Sequence, residues 1–93
     1  MTIYTVTIYR KEVFKMIVYM PVHDHGRFSV VEADTEKTIA GRRIFRPWGK
    51  LGSVVYAGTI YFRAFRTEAE AWNYIHGEYA VPLTLEELEE FLK

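Results

Sequence analysis

Four cations and two large aromatic side chains interleave in Gly41-Arg42-Arg43-Ile44-Phe45-Arg46-Pro47-Trp48-Gly49-Lys50. Arginine and lysine neutralise phosphates and release condensed counterions. An aromatic ring set among them can stack on an unpaired base, a contact worth roughly 1–3 kcal/mol. The glycines let one backbone approach another closely. A second group sits downstream: Tyr61, Arg63, Phe65 and Arg66. Tyr61, Arg63 and Phe65 share one strand parity. So do Thr5, Thr7 and Tyr9 near the start, and Lys15 and Tyr19 on the next strand. A register that aligns these sets makes a mixed Tyr, Phe, Lys and Arg face, as single-strand RNA binders use in principle. The expected nucleic-acid contacts are therefore Arg42, Arg43, Arg46, Lys50, Arg63 and Arg66 on phosphate, with Trp48, Tyr61 or Phe65 stacking. The plainer alternative makes Phe45 and Trp48 core residues at a strand end, because large aromatics dominate small cores.

The series Gly41-Arg42-Arg43-x-Phe45-x-x-Trp48, followed by Phe65-Arg66-Thr67-Glu68-x-Glu70-Ala71-Trp72-x-Tyr74-Ile75, resembles the small hybrid-binding domain attached to some ribonucleases H, across about a third of the chain. The resemblance implies duplex binding through the loop and strand backbone. That family needs a helix after its Trp, and Gly49 and Gly52 read against one here, so no family assignment follows.

His23-x-His25 is the one spacing that suits a metal. In an extended segment, residues i and i+2 point the same way, so two imidazoles can share an ion. A third ligand has to come from elsewhere, with His76 the candidate. Two histidines in a turn are more commonly solvated, and no metal or cofactor is expected. No phosphate-binding glycine loop and no GxSxG elbow occurs. Cysteine is absent, which excludes disulfides, thiol catalysis and cysteine-based zinc sites. The expectation is a binding module rather than an enzyme.

The elements that must position these residues read as strands first and helices last. Thr2–Arg10 alternates as a half-buried strand. Val13–Met20 is apolar on both faces and reads as a central strand that Pro21 ends. His23-Asp24-His25-Gly26 is a turn. Arg27–Ala33 is a strand with Phe28 and Val30 on one face, and Asp34–Lys37 is turn-like. Thr38–Phe45 reads as a weaker strand, and residues 47–52 as a loop. Ser53–Tyr56 and Thr59–Phe65 are strands joined through Ala57-Gly58. Thr67 with Glu70, and Thr84 with Glu87, form capping boxes. Ala71, Trp72 and Ile75 make the first helix's apolar stripe, which Gly77 ends. Leu85, Leu88, Phe91 and Leu92 make the second, with Leu83 and Leu88 spaced as a hydrophobic staple. The expected fold is α+β: one mostly antiparallel sheet of five or six strands with two C-terminal helices packed on one face of it, a strongly curled sheet capped by the helices being the alternative.

Ninety-three residues suit a single domain, 1–93, and the composition is globular. Net charge is zero, yet residues 1–66 hold 11 Lys/Arg and 5 Asp/Glu, while 67–93 hold one Lys and 7 Glu, so the two parts carry +6 and −6. Such asymmetry points to a polyanion site or an acidic interaction tail. The second functional reading is accordingly a protein-interaction module, such as a regulator or viral inhibitor of a host complex. It would act through the acidic C-terminal helix or an exposed sheet edge. A homodimer fits either reading. Asn73 is the lone Asn and Gln is absent, as hyperthermophile composition favours. Met1–Arg10 lacks a basic start followed by an apolar block, and Met16–Val22 is too short to span a bilayer. A cytoplasmic protein without membrane contact is expected.

Overall fold

The computed structural model describes residues 17–90. The predicted strand Thr2–Arg10, the first part of Val13–Met20, and Phe91 and Leu92 of the tail stripe lie outside them. All strands precede both helices: β1 (Ile17–Asp24), β2 (Arg27–Asp34), β3 (Thr38–Ile39), β4 (Arg42–Arg43), β5 (Phe45–Trp48), β6 (Ser53–Tyr56), β7 (Thr59–Tyr61), α1 (Glu68–Ile75) and α2 (Leu85–Glu90). The class is α+β, as expected. The expected single sheet is instead three small antiparallel ones, ordered β1-β2, β3-β4 and β5-β6-β7 among the described residues.

Turn chemistry explains much of this division. His25-Gly26, Ala40-Gly41 and Ala57-Gly58 each join paired strands through two residues. Both residues of each pair have positive φ, at 53° and 77°, 54° and 78°, and 51° and 86°. That is the type I′ condition, whose twist matches the flanking strands. Ala40-Gly41 folds the predicted single strand Thr38–Phe45 into the β3–β4 hairpin. That hairpin extends one pair outward, where Ile44 N–H donates to Lys37 O at 3.2 Å.

Pro21 and Pro47 both sit inside strands, against the expectation that Pro21 ends one and that Pro47 and Trp48 lie in a loop. Pro21 pairs with Val30 and Pro47 with Val54. Tyr19 and Phe65 exchange both backbone hydrogen bonds, at 2.9 and 2.8 Å, so odd-numbered residues of β1 aim away from β2. Pro21 therefore removes no N–H from the β1–β2 ladder. Ala57 N–H donates to Ile44 O at 2.8 Å, which places Pro47 at a non-bonded position against β6 by the same alternation. Gly49–Gly52 alone forms the loop between β5 and β6.

The core gathers Val18, Met20, Ala33, Phe45, Val54, Ala64, Leu83 and Leu88. Val18 faces Ala33 and Met20 faces Val31 on one side of the first hairpin. Against the expectation of two helices on one sheet, α1 packs on β1 and β2 whereas α2 packs on β5. Thr67 caps α1, its Oγ1 accepting from Glu70 N–H at 3.2 Å. Glu78 N–H donates to Asn73 O and Gly77 N–H to Tyr74 O, closing the helix with a Schellman motif. α2 opens on a reciprocal box. Thr84 N–H donates to Glu87 Oε1 at 2.9 Å, and Glu87 N–H donates to Thr84 Oγ1 at 3.2 Å. Leu83 and Leu88 are both buried beside it, as the staple requires.

Ala40 and Ala57 occupy left-handed backbone that costs an L-residue about 1 kcal/mol or more. Asn relieves that cost and gives the favoured Asn-Gly pair. Ala57→Asn raises stability by about 0.5–1 kcal/mol, read as a higher urea midpoint with unchanged slope. The same substitution at the exposed Thr59, a strand position, lowers it.

Candidate nucleic-acid interface

β5 alternates cleanly between its two sides. Phe45 is fully buried and Pro47 half-buried, whereas Arg46 and Trp48 are exposed on the other side. The strand register carries that outer face across the sheet. Arg46 stands opposite Val55, and Val55 opposite Ile60. Trp48 stands opposite Ser53, whose Oγ donates to Phe62 O at 3.3 Å just past β7. Trp48 and Ile60 remain 51 % and 48 % exposed, and Phe62 79 %. A cation, an indole and aliphatic surface therefore share one face.

Arg42 and Arg43 lie on the adjoining β4, both exposed. Arg43 Nη1 donates to Thr35 O at 2.9 Å, which fixes its guanidinium against the buried Thr35. Arg42, Arg46 and Lys50 make no ion pair among the described residues.

The other predicted contacts go elsewhere. Phe65 is fully buried, with its ring 5.4 Å from that of Tyr74, and offers no face to a base. Tyr61 packs against the core. The expected common face of Tyr61, Arg63 and Phe65 does not form, because β7 stops at Tyr61 and both Ala64 and Phe65 then turn inward. Ile60 and Phe62 take the exposed role instead. The alternation of Ile60, Phe62 and Ala64 against Tyr61, Arg63 and Phe65 was visible, but neither set is polar enough to mark the outer side.

Arg63 Nη1 donates to Leu51 O and Phe62 O at 3.0 and 2.9 Å. Lys50, Arg63 and Glu86 line one shallow depression at the start of α2, and Arg66 pairs with Glu87. Of these three predicted phosphate contacts, Arg66 alone is ion-paired with the acidic first turn of the tail helix among the described residues, whereas Lys50 and Arg63 border the depression that Glu86 also lines. Arg42, Arg43 and Arg46 stay apart from it.

His23 and His25 do not act together. His23 stacks on Phe28 with ring centroids 4.4 Å apart, whereas His25 Nε2 lies 3.4 Å from Asp24 Oδ1 in the turn. His76 caps α1 and stacks near Trp72. No group of three or more His, Cys, Asp or Glu is arranged to hold an ion among the described residues. No helix among them is long and apolar enough to cross a membrane.

The Thr84 N–H bond holds the Glu87 carboxyl below its usual range; partial burial opposes this, and the Arg66 guanidinium adds to the lowering. A depressed folded pKa contributes stability that is complete above the unfolded value and is lost as pH falls through the folded one. The protein therefore loses stability on acidification below the ordinary glutamate range. Glu87→Gln keeps an amide acceptor for Thr84, costs up to about 1 kcal/mol at pH 7, and flattens that acid loss. Urea midpoints measured from pH 7 down to pH 2 check this, and identical acid profiles refute it. Comparison of the chain with family models, curated proteins and solved structures gives no match in any of the three.

Proposed function

We propose that this chain is a small binding module that takes nucleic acid on the outer face of β5–β7, with Arg42, Arg43 and Arg46 on phosphate and Trp48 stacking on a base. One observation carries the reading: Trp48 stands half-exposed beside Arg46 on a sheet face whose opposite side already holds the core. An indole there adds little to folding and suits a planar ligand. The neighbouring cations are not spent on the tail glutamates, so they retain their charge for a polyanion. Arg66, paired with Glu87, and Lys50, which lines the depression with Glu86, contribute less to phosphate binding, whereas Arg63 bonds to the carbonyls of Leu51 and Phe62 and to no carboxylate among the described residues.

A protein partner is the second reading, and one feature favours it. α2 directs Glu86 and Glu89 to the surface while Leu88 closes the core. A basic partner can dock on those carboxylates without disturbing the helix. Removing residues 82–93 is a poor test of that, since Leu83 and Leu88 leave with them and the chain unfolds.

A thermophilic host also belongs to this proposal. Ala-Gly and His-Gly occupy type I′ turns where Asn-Gly is the least strained pair, so thermolabile amide is avoided even where backbone geometry asks for it. Calorimetry is expected to give a melting temperature well above the usual range of about 45–65 °C; a value near 50 °C removes the inference.

Binding to a short single-stranded oligonucleotide falls steeply with salt. Arg42→Ala with Arg46→Ala reduces the slope of log K against log salt by about 1.4, at roughly 0.7 per phosphate contact. Trp48→Ala weakens binding by about 1–3 kcal/mol with the slope retained. Fluorescence anisotropy across a salt series measures both, and affinity indifferent to salt rejects the reading.

A further inference from the structure

A groove of about 300 Å³ lies between the far end of the β1–β2 hairpin, the segment after β7 and the last turn of α1. Four aromatic side chains line it. His23 and Phe28 face each other across the hairpin register and stack at 19° between planes. Phe62 is 79 % exposed and Tyr74 47 % exposed at the same opening. Ile75 adds aliphatic surface. Arg63 is the one lining residue with a permanent charge, and no Asp or Glu lines the groove among the described residues. The carbonyls of Leu51 and Phe62 both accept from Nη1 of Arg63, so the guanidinium is held in place while its other N–H groups stay outside those two bonds.

The groove also connects with the face of β5. Trp48, Ser53 and Phe62 follow one another across the sheet through the Trp48–Ser53 pair and the Ser53 Oγ bond to Phe62 O. Two strand spacings of about 4.8 Å separate the outer two, roughly 10 Å in all. A chain that stacks on Trp48 reaches Phe62 within a few nucleotides.

We infer that this groove receives one unpaired nucleobase of a single-stranded nucleic acid, stacked against Phe62 and the His23–Phe28 pair, with the adjoining phosphate on Arg63. The inference rests on the nucleic-acid reading of the β5 face and narrows it to single strands. Its ground is charge complementarity. A base with its phosphate is a planar apolar body attached to an anion, and the groove presents ring faces with one fixed cation and no carboxylate. A duplex keeps its bases paired and cannot fill it.

The test uses the full chain and a mixed-sequence DNA strand of about twelve nucleotides, carrying 2-aminopurine, beside the same sequence as a duplex. The single strand binds more tightly, and its 2-aminopurine fluorescence is quenched. Phe62→Ala weakens single-strand binding about 5- to 100-fold and leaves duplex binding within twofold. Phe62→Tyr restores the affinity, whereas Phe62→Leu does not, because area without a ring is not enough. Phe62 is mostly exposed, so these variants keep the parent's urea midpoint. Wild-type single-strand affinity in Phe62→Ala, alongside a loss in Arg42→Ala with Arg46→Ala, overturns the groove inference and leaves the β5 reading standing. Full affinity in Phe62→Leu overturns it in favour of an apolar occupant such as a peptide side chain. An unmodified protein that shifts neither strand nor duplex at micromolar concentration overturns both.

Discussion

Ala64 and Phe65, both fully buried, are where separate parts of the fold are joined through the backbone. Phe65 exchanges two hydrogen bonds with Tyr19 of the first hairpin, and Ala64 O accepts from Leu83 N–H at 2.8 Å at the head of the tail. A buried peptide group left unpaired costs roughly 1–3 kcal/mol, so the segment between β7 and α1 must hold both neighbours in register. The side chains follow from that arrangement. Ala64 joins Val18, Met20 and Leu83 in the core, while Phe65 meets Tyr74 from α1. The loop before β6 closes on the same place: a Cβ at Gly52 would lie 2.8 Å from Leu83 O, and its φ is 82°. Only glycine allows that loop to sit against the tail.

The same junction explains why the strands do not merge into one sheet. Tyr19 and Phe65 form a single bridge between β1 and the segment after β7. The next bonded position along that edge of β1 belongs to Pro21, opposite Arg63, and proline has no N–H to give. The ladder stops after one pair. Pro47 likewise presents its N–H-less nitrogen on the edge of β5 away from β6, which no strand among the described residues pairs, a position at which proline discourages strand addition. The sequence showed both prolines as punctuation, and they are, but of lateral pairing rather than of strand length. Distinguishing the two requires knowing which edge is occupied, and that depends on partners more than forty residues away. By contrast, the second capping box and the end of the first helix were legible in full. Thr84 with Glu87, and Gly77 after His76, act through residues at most five apart, so nothing distant can override them.

Charge was legible as a quantity and not as a map. The +6 and −6 parts neither cancel nor stay fully separate. Arg66 reaches Glu87, and Lys50 and Arg63 share a depression with Glu86 at the start of α2. Arg42, Arg43 and Arg46 remain on β4 and β5. The capping box decides this division, because it fixes where the tail helix begins and so where its first-turn carboxylates stand. Parity failed at the site for a related reason. Period two holds within β5, where Arg46 and Trp48 share the outer side although residues 47–52 were read as a loop, and fails after Tyr61, where the chain leaves the ladder to reach Tyr19. Phe65 was thus read as outward although it is the largest side chain at the inner junction.

The outer face of β5–β7 is left with side chains that folding does not explain. Its opposite face already packs Phe45 and Val54 against the hairpin and the tail, so Trp48, Ile60 and Phe62 remain about half or more exposed. Strand propensity alone is satisfied as well by threonine, which suits the pleat without exposing a large apolar surface. Isolated exposed apolar residues need no explanation, but these three are neighbours through one strand register, and an adjacent groove adds Phe28 and Tyr74. Contiguous exposure of that kind is what the proposed binding face calls for. What separates a nucleic acid from an apolar protein surface is the company the rings keep: Arg46 beside Trp48, Arg63 beside Phe62, and no carboxylate among the groove's described lining.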